Sequence, residues 1–286
     1  MKHIVGFSGG VDSQAAALWV LNRFPKEDII ILNSPAGGNE HPLTTEHIEW
    51  FSRSVHSVIV VKAEIRDMWI GRDQAEKHGF EPRAELTFDL MAKIKGRFPS
   101  RKAQFCTEKL KLLPIRRWLF ENLGHSSDLP CARHYERYAG VRRDESPARE
   151  KTVGRCYDEF FNCMVNQPVF DWTKKMCFDY IQSHGQQINP LYTFGFGRVG
   201  CAPCINAKKS DILAWAQRFP AMIDKVRGWE REVGRTFFAP IVPGLEINWV
   251  DEVVEWAKTD RGGSQYNMFK ILEERPACES AYGLCE

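Results

Sequence analysis

Long apolar runs are absent from the 286-residue chain. None approaches the roughly 18 residues that a membrane-crossing helix needs. No charged-then-apolar leader precedes the strand-like His3 to Phe7, so no membrane partner and a cytoplasmic location are expected. Charge of one sign is also lacking: the net formal charge is +2, which by itself does not mark a nucleic-acid binder. There is no internal repeat and no low-complexity linker. Neither G-x-x-x-x-G-K-[ST] nor G-x-G-x-x-G occurs after the first strand, which sets aside the P-loop ATPase and dinucleotide-binding fingerprints.

Cysteine is plentiful instead, with nine residues. Disulfides are disfavoured in a cytosolic compartment, so spaced cysteines there read as metal ligands or reactive thiols. Cys131, Cys156, Cys163 and Cys177 are scattered singly and read as ordinary packing residues. Cys106, Cys201, Cys204, Cys278 and Cys285 stand in more informative surroundings.

Apolar segments at His3–Phe7, Ile29–Leu32 and Val58–Val61 alternate with helical patterns at Gln14–Asn22 and Thr44–Ser52. That alternation predicts an α/β fold whose parallel sheet is covered on both faces. Glu85 to Asn122 reads as helical with a break near Pro99. Tyr135–Val141 and Val165–Phe170 read as further strands, and Trp172–His184 as a helix with Asp171 near its cap. Residues 186–207 are loop-like, and the remainder is mostly helical with Trp215, Trp229, Trp249 and Trp256 expected in its core. The expected division is a nucleotide-binding part, 1–185, and a helical, Cys-containing part, 186–286.

The turn Phe7-Ser8-Gly9-Gly10-Val11-Asp12-Ser13 joins the first strand to the first helix. Its glycines let backbone amides approach an anion, Ser8 and Ser13 add hydroxyls, and a helix N-terminus adds partial positive charge. Such a turn cradles phosphates. Lys111 can meet phosphates as a point charge, and Arg142 or Arg149 can grip them bidentately. Asp12 and Glu145 are the candidates for an outer role around Mg²⁺. Cys201-x-x-Cys204 is half of a metal site, and Cys278-x6-Cys285 could supply the other half for zinc or an iron–sulfur cluster. Lys93, Lys95, Arg97, Arg101, Lys102, Lys109, Lys111, Arg116 and Arg117 form a basic stretch that would suit DNA or RNA.

Ser8 to Ser13 resembles the S-G-G-V-D-S signature of the PP-loop ATP pyrophosphatase superfamily. Within it the chain resembles the phosphoadenosine-phosphosulfate reductase family, including phage-encoded members and the sulfur-activating proteins of DNA phosphorothioation systems. Asn33 to Pro42, Phe105 to Pro114, Gly140 to Ser146 with Arg149, and Asn189 to Tyr192 followed by Arg198 to Cys204 carry the narrower likeness. The resemblance implies an adenine nucleotide alpha hydrolase-like fold. It also implies ATP bound by Ser8, Gly9, Gly10, Val11, Asp12, Ser13 and Arg149, with Mg²⁺ as cofactor. Cys106, Lys111 and Arg142 would act in adenylating a phosphate acceptor, for which a nucleic-acid backbone is the first choice. A sulfur donor such as a cysteine desulfurase would be the partner.

The same resemblance offers Cys106, Cys201 and Cys204 as three corners of a [4Fe–4S] cluster, with Cys285 or Cys278 as the fourth ligand or an open iron. The sequence departs from the family in three places. Asn33 stands where Asp is usual, Phe105-Cys106 replaces a tandem Cys-Cys, and Cys278 to Cys285 replaces the terminal E-C-G-L-H. Sulfonucleotide reduction is the alternative activity implied, and ATP binding without turnover a third.

Overall fold

The computed structural model describes residues 1–69, 72–124, 134–145, 147–150, 153–238 and 249–259. Its centre is a six-stranded sheet of order β3-β2-β1-β4-β6-β5. The strands are β1 (Lys2–Gly6), β2 (Ile29–Asn33), β3 (Val58–Val60), β4 (Tyr135–Tyr138), β5 (Arg155–Asp158) and β6 (Cys163–Asn166). All neighbours run parallel except β5, which pairs antiparallel with β6.

Successive side chains of a strand face opposite ways, and β1 shows the result. Val5 and Phe7 join Ile29, Ile31 and Tyr138 in a core under α1 (Val11–Leu21), α2 (Pro42–Ser54) and α9 (Lys174–Ser183). Ile4 turns to the other face with Leu32, Tyr135, Phe161 and Cys163, covered by Ile115 and Leu119 of α7 (Leu113–Leu123). Both faces of the sheet are therefore covered, as the strand–helix alternation predicts.

Three short helices cross between the sheet and the C-terminal half: α3 (Ile65–Trp69), α4 (Arg72–Lys77) and α5 (Phe88–Lys95). After a break at 96–104, α6 (Phe105–Thr107) runs through a π turn, Glu108–Leu112, into α7. The short α8 (Pro147–Glu150) follows β4. A third core joins residues 63–110 to α10 (Lys209–Arg218), α11 (Pro220–Val233) and α12 (Val250–Ala257), with Phe88, Phe98, Phe237 and Trp215 among its rings.

Several expectations need adjustment. The strand expected at Val165–Phe170 ends at Asn166, and Gln167 to Phe170 form a turn closed by the Phe170 N–H bonding the Gln167 carbonyl. The cap of α9 is Thr173, whose hydroxyl accepts from the Met176 N–H, rather than Asp171. Trp249 is 45% exposed and lies outside the core, while Trp215 is 2% exposed and inside it.

Candidate nucleotide site

The strand order reverses at the centre of this sheet. From β1 the chain steps outward to β2 and β3, then returns across to β4 on the other side. Such a switch point opens a crevice beyond the carboxyl ends of the strands, where ligands of open α/β sheets bind. The Ser8–Ser13 loop leaves β1 here, and Ala139 to Arg142 leaves β4 beside it.

Contacts within and beneath the loop hold its shape. The Ser8 N–H donates to Ser13 Oγ at 3.1 Å, the two hydroxyls are 3.0 Å apart, and Ser13 Oγ donates to the Gly10 carbonyl at 2.9 Å. Gly9 has φ +79, and a Cβ there would press on Ile48 and Thr44 of α2. From below, Asn189 donates to the Gly9 carbonyl at 3.2 Å, and the Tyr192 hydroxyl accepts from the Val11 N–H at 3.0 Å. Gly140 touches the loop from the side: a Cβ on it would lie 2.4 Å from the Ser13 nitrogen. The G-x-R segment thus needs glycine so that two backbones can meet.

The sequence-assigned cations divide by environment. Lys111, buried on the π turn, lines a cleft with Phe7, Ser8, Leu32, Asn33, Ser34, Glu40 and Gly200. Arg142 is buried and ion-paired with Asp12, its Nε 2.7 Å from the carboxylate, with Asp144 also on its guanidinium. Arg149 is fully buried and paired with Glu145. Asp12 and Glu145, expected near Mg²⁺, are thus the partners of the two arginines expected on phosphate; the Asp12 pair ties the loop to the segment after β4, and the Glu145 pair lies within residues 145–149.

Glu40 accepts from the Ala36 N–H. Burial pushes its carboxyl up to about 7, the negative charge at Cys201 adds to this, and Lys111 opposes it. Lys225 on α11 is lowered by burial, against the pull of Glu40 and Cys201. These two side chains had no role in the sequence reading. The Glu-His-Pro of residues 40–42, which ends the second family-like stretch, was the available signal. Asn189 and Tyr192, quoted there only as a motif, prove to be the loop's supports.

Cys201 Sγ lies 4.0 Å from Lys111 Nζ. Cys204 is hydrogen-bonded to Cys201, which together with burial raises its thiol well above the ordinary range. Cys106 is half-buried and packs against the third core. Among the described residues no three His, Cys, Asp or Glu side chains converge as a metal site. Cys278 and Cys285 lie outside the described residues. Cys201 and Cys204 are the two of the expected metal-ligand cysteines that the described residues bring together.

The basic stretch is not one surface. Lys93 pairs with Glu232 at 2.6 Å, Arg117 with Asp67 at 3.1 Å and Glu64 at 2.9 Å, while Lys109 and Lys111 are buried. Lys95, Arg97, Arg101 and Lys102 are exposed in and beside the break between α5 and α6.

A mostly parallel sheet with a glycine-rich strand-to-helix turn at its switch point defines an α/β protein of the nucleotide-binding fold class. The chain belongs to the phosphoadenosine phosphosulfate reductase domain family, whose profile matches residues 2–207. A 37.8 kDa protein of Escherichia phage 186 is 31% identical over 337 aligned positions, covering 99% of this chain and 96% of the relative. An adenosine 5'-phosphosulfate reductase of Bacillus cereus is 28% identical over 125 residues, 43% of this chain and 48% of that protein. A phosphoadenylyl-sulfate reductase structure from Candida auris aligns with TM-score 0.46 and 13% identity, over 70% of this chain and 81% of that one.

Proposed function

We propose that this protein is an ATP pyrophosphatase that adenylates a phosphate acceptor for sulfur transfer, with a nucleic-acid backbone as the acceptor. The observation that carries the reading is the braced Ser8–Ser13 cradle opening on one cleft with Lys111. An acceptor oxygen attacks the α-phosphorus of ATP, the bond to the β-phosphate oxygen breaks, and pyrophosphate leaves. The loop amides and the Ser8 hydroxyl position the phosphates, and Lys111 offsets the charge that grows on the leaving group. Catalysis of this kind is mostly positioning and preorganised charge.

In a second step the terminal sulfur of a persulfide, loaded by a donor of the cysteine desulfurase class, attacks the acceptor phosphorus and displaces AMP; a thiol then cleaves the S–S bond, leaving the phosphorothioate and a disulfide. The exposed Lys95, Arg97, Arg101 and Lys102 would meet a polyanionic acceptor. Magnesium supplies countercharge to the triphosphate when bound. The Cys201–Cys204 pair would be two ligands of an iron–sulfur or zinc centre.

The match to proteins named adenosine 5'-phosphosulfate reductase favours a second reading, reduction of a sulfonucleotide. In that case a cysteine thiolate attacks the sulfate sulfur and AMP leaves. One pair of assays separates the two. Purified protein is given ATP with and without DNA and pyrophosphate is measured; separately it is given adenylyl sulfate with a dithiol and sulfite is measured. Acceptor-stimulated pyrophosphate release is expected. Sulfite formation without pyrophosphate release would replace the first reading with the second.

A further inference from the structure

A carboxylate facing an anion cradle is an electrostatic conflict, and Glu40 presents it in this cleft beside Ser8. One of its oxygens is occupied by the Ala36 N–H. The other has no hydrogen-bond donor among the described residues. Asn33 lines the same cleft and is 94% buried, being 6% exposed. Its amide nitrogen is committed to the Phe7 carbonyl at 2.8 Å, which leaves Oδ1 without a donor among the described residues. Two oxygen acceptors, one on a carboxyl that Lys111 and Lys225 also face, thus border the space next to Ser8. Acceptors that line a cleft with no protein donor are open to water or to a ligand that enters it.

We infer that Glu40 and Asn33 are the protein ligands of a divalent cation, Mg²⁺, that enters the cleft with the nucleotide phosphates. Mg²⁺ is held in nucleotide sites by one or two protein oxygens plus phosphates and waters, and does not need an all-protein cage. A general-base role for Glu40 has no proton to take in the proposed reaction, because a phosphodiester oxygen attacks already deprotonated. The acids named from sequence are otherwise engaged: Asp12 pairs with Arg142 and Glu145 with Arg149.

The loop that carries Glu40 suits a fixed ligand. Gly37 and Gly38 take positive φ of +62 and +82, and a Cβ on Gly37 would lie 2.6 Å from the Phe88 nitrogen. Asn39 anchors the turn by donating to the Pro203 carbonyl at 3.2 Å and accepting from the Ala202 N–H at 2.8 Å. His41 caps α2 immediately after Glu40, accepting from the Leu43 N–H at 3.2 Å. Glu40 therefore sits between two anchored positions.

The inference rests on the nucleotide reading of this cleft, and the test separates their failures. ATP affinity of the full chain is measured by calorimetry in Mg²⁺ and in EDTA, for wild type and Glu40→Gln. Wild type should bind at least tenfold more tightly with Mg²⁺. Glu40→Gln should shrink that gain to threefold or less, with an EDTA affinity at or above that of wild type, because the variant removes a carboxylate from beside the phosphates. An undiminished Mg²⁺ gain, or an equal loss in EDTA, would overturn the assignment and make the two oxygens acceptors for donors on the nucleotide.

Asn33→Asp should raise Mn²⁺ affinity, read by electron paramagnetic resonance, a direction that misfolding cannot produce; no rise counts against the site. If wild type binds no ATP in either buffer, the nucleotide reading fails by itself. The Mn²⁺ titration without nucleotide then decides the site: binding lost in Glu40→Gln supports it, and equal binding in both proteins rejects it.

Discussion

Buried on α2, His47 has its Nε2 3.0 Å from Gln14 Oε1 on α1 and its ring stacked on Trp50. Burial depresses its imidazole to about 4. The native state therefore keeps it neutral, while the unfolded chain takes up a proton near 6.5. Between those values the unfolded state binds more protons, so stability is intact above about pH 6.5 and falls as pH drops toward 4. The loss is on the order of 2–3 kcal/mol at the acidic end of that window. His47→Gln keeps a polar partner for Gln14 and removes the titration; its melting temperature should fall less between pH 6.5 and 4 than that of wild type.

Gly140 is the other single residue with a sharp consequence. Gly140→Ala places a methyl against the backbone of Asp12 and Ser13, atoms that cannot rotate away. A cost of about 1–3 kcal/mol is expected from overpacking of this kind, measured by urea unfolding. ATP affinity should drop with it, because the displaced atoms belong to the loop. A variant that binds ATP as wild type does would show that the loop tolerates the shift.

At the scale of elements, the supports of the phosphate loop come from a distant segment. Tyr192→Phe removes only a hydroxyl, leaving the Val11 N–H without its acceptor. A net loss of about 1 kcal/mol is expected from one such bond, with a several-fold fall in ATP affinity by calorimetry. An unchanged affinity would mean that the loop holds its shape without this strut.

The central strands were readable because their apolar runs are short, continuous and followed by helical periods. His3 to Phe7 and Ile29 to Leu32 leave little alternative. β5 was not readable. Its Arg155-Cys156-Tyr157-Asp158 has alternating exposed and half-buried positions on an edge, with no apolar run to mark it. Asp171 looked like a cap because it precedes a helical pattern, yet Thr173 does the capping two residues later. Local chemistry permits both, and the start of regular backbone decides.

The site was legible to a different degree. The Ser8–Ser13 turn is contiguous in sequence, so its glycines and hydroxyls are visible there without the fold. Arg142 and Arg149 carry the right charge for phosphate, but tertiary placement gives them Asp12 and Glu145 as partners. Glu40 and Lys225 become noticeable only when the fold sets them near Lys111 and Cys201.

Across the whole molecule, the proposed boundary near residue 185 separates the phosphate loop from Asn189 and Tyr192. A fragment of residues 1–185 should bind ATP at least tenfold more weakly than the full chain, and equal affinity would make the supports dispensable. The cysteines set another test at this scale. Changing Cys201 and Cys204 together to Ser should strip any bound iron or zinc, measured by elemental analysis of anaerobically purified protein, and lower the melting temperature. Full metal occupancy in that double variant would assign the metal to other ligands.

Asn39 gives the two halves of the cleft a shared fate. Its backbone carbonyl and side-chain amide hold Ala202 and Pro203, the two residues between Cys201 and Cys204. The next residue is Glu40. Whatever draws the sulfurs into a new arrangement thus pulls on the carboxylate across one residue, and whatever fixes the carboxylate stiffens the sulfurs. Linkage then makes the traffic two-way: the factor by which thiol ligation changes nucleotide affinity equals the factor by which nucleotide changes the affinity for the thiols' ligand. On the proposed reading, the protein would thus register the state of its two thiols as a change in its affinity for ATP.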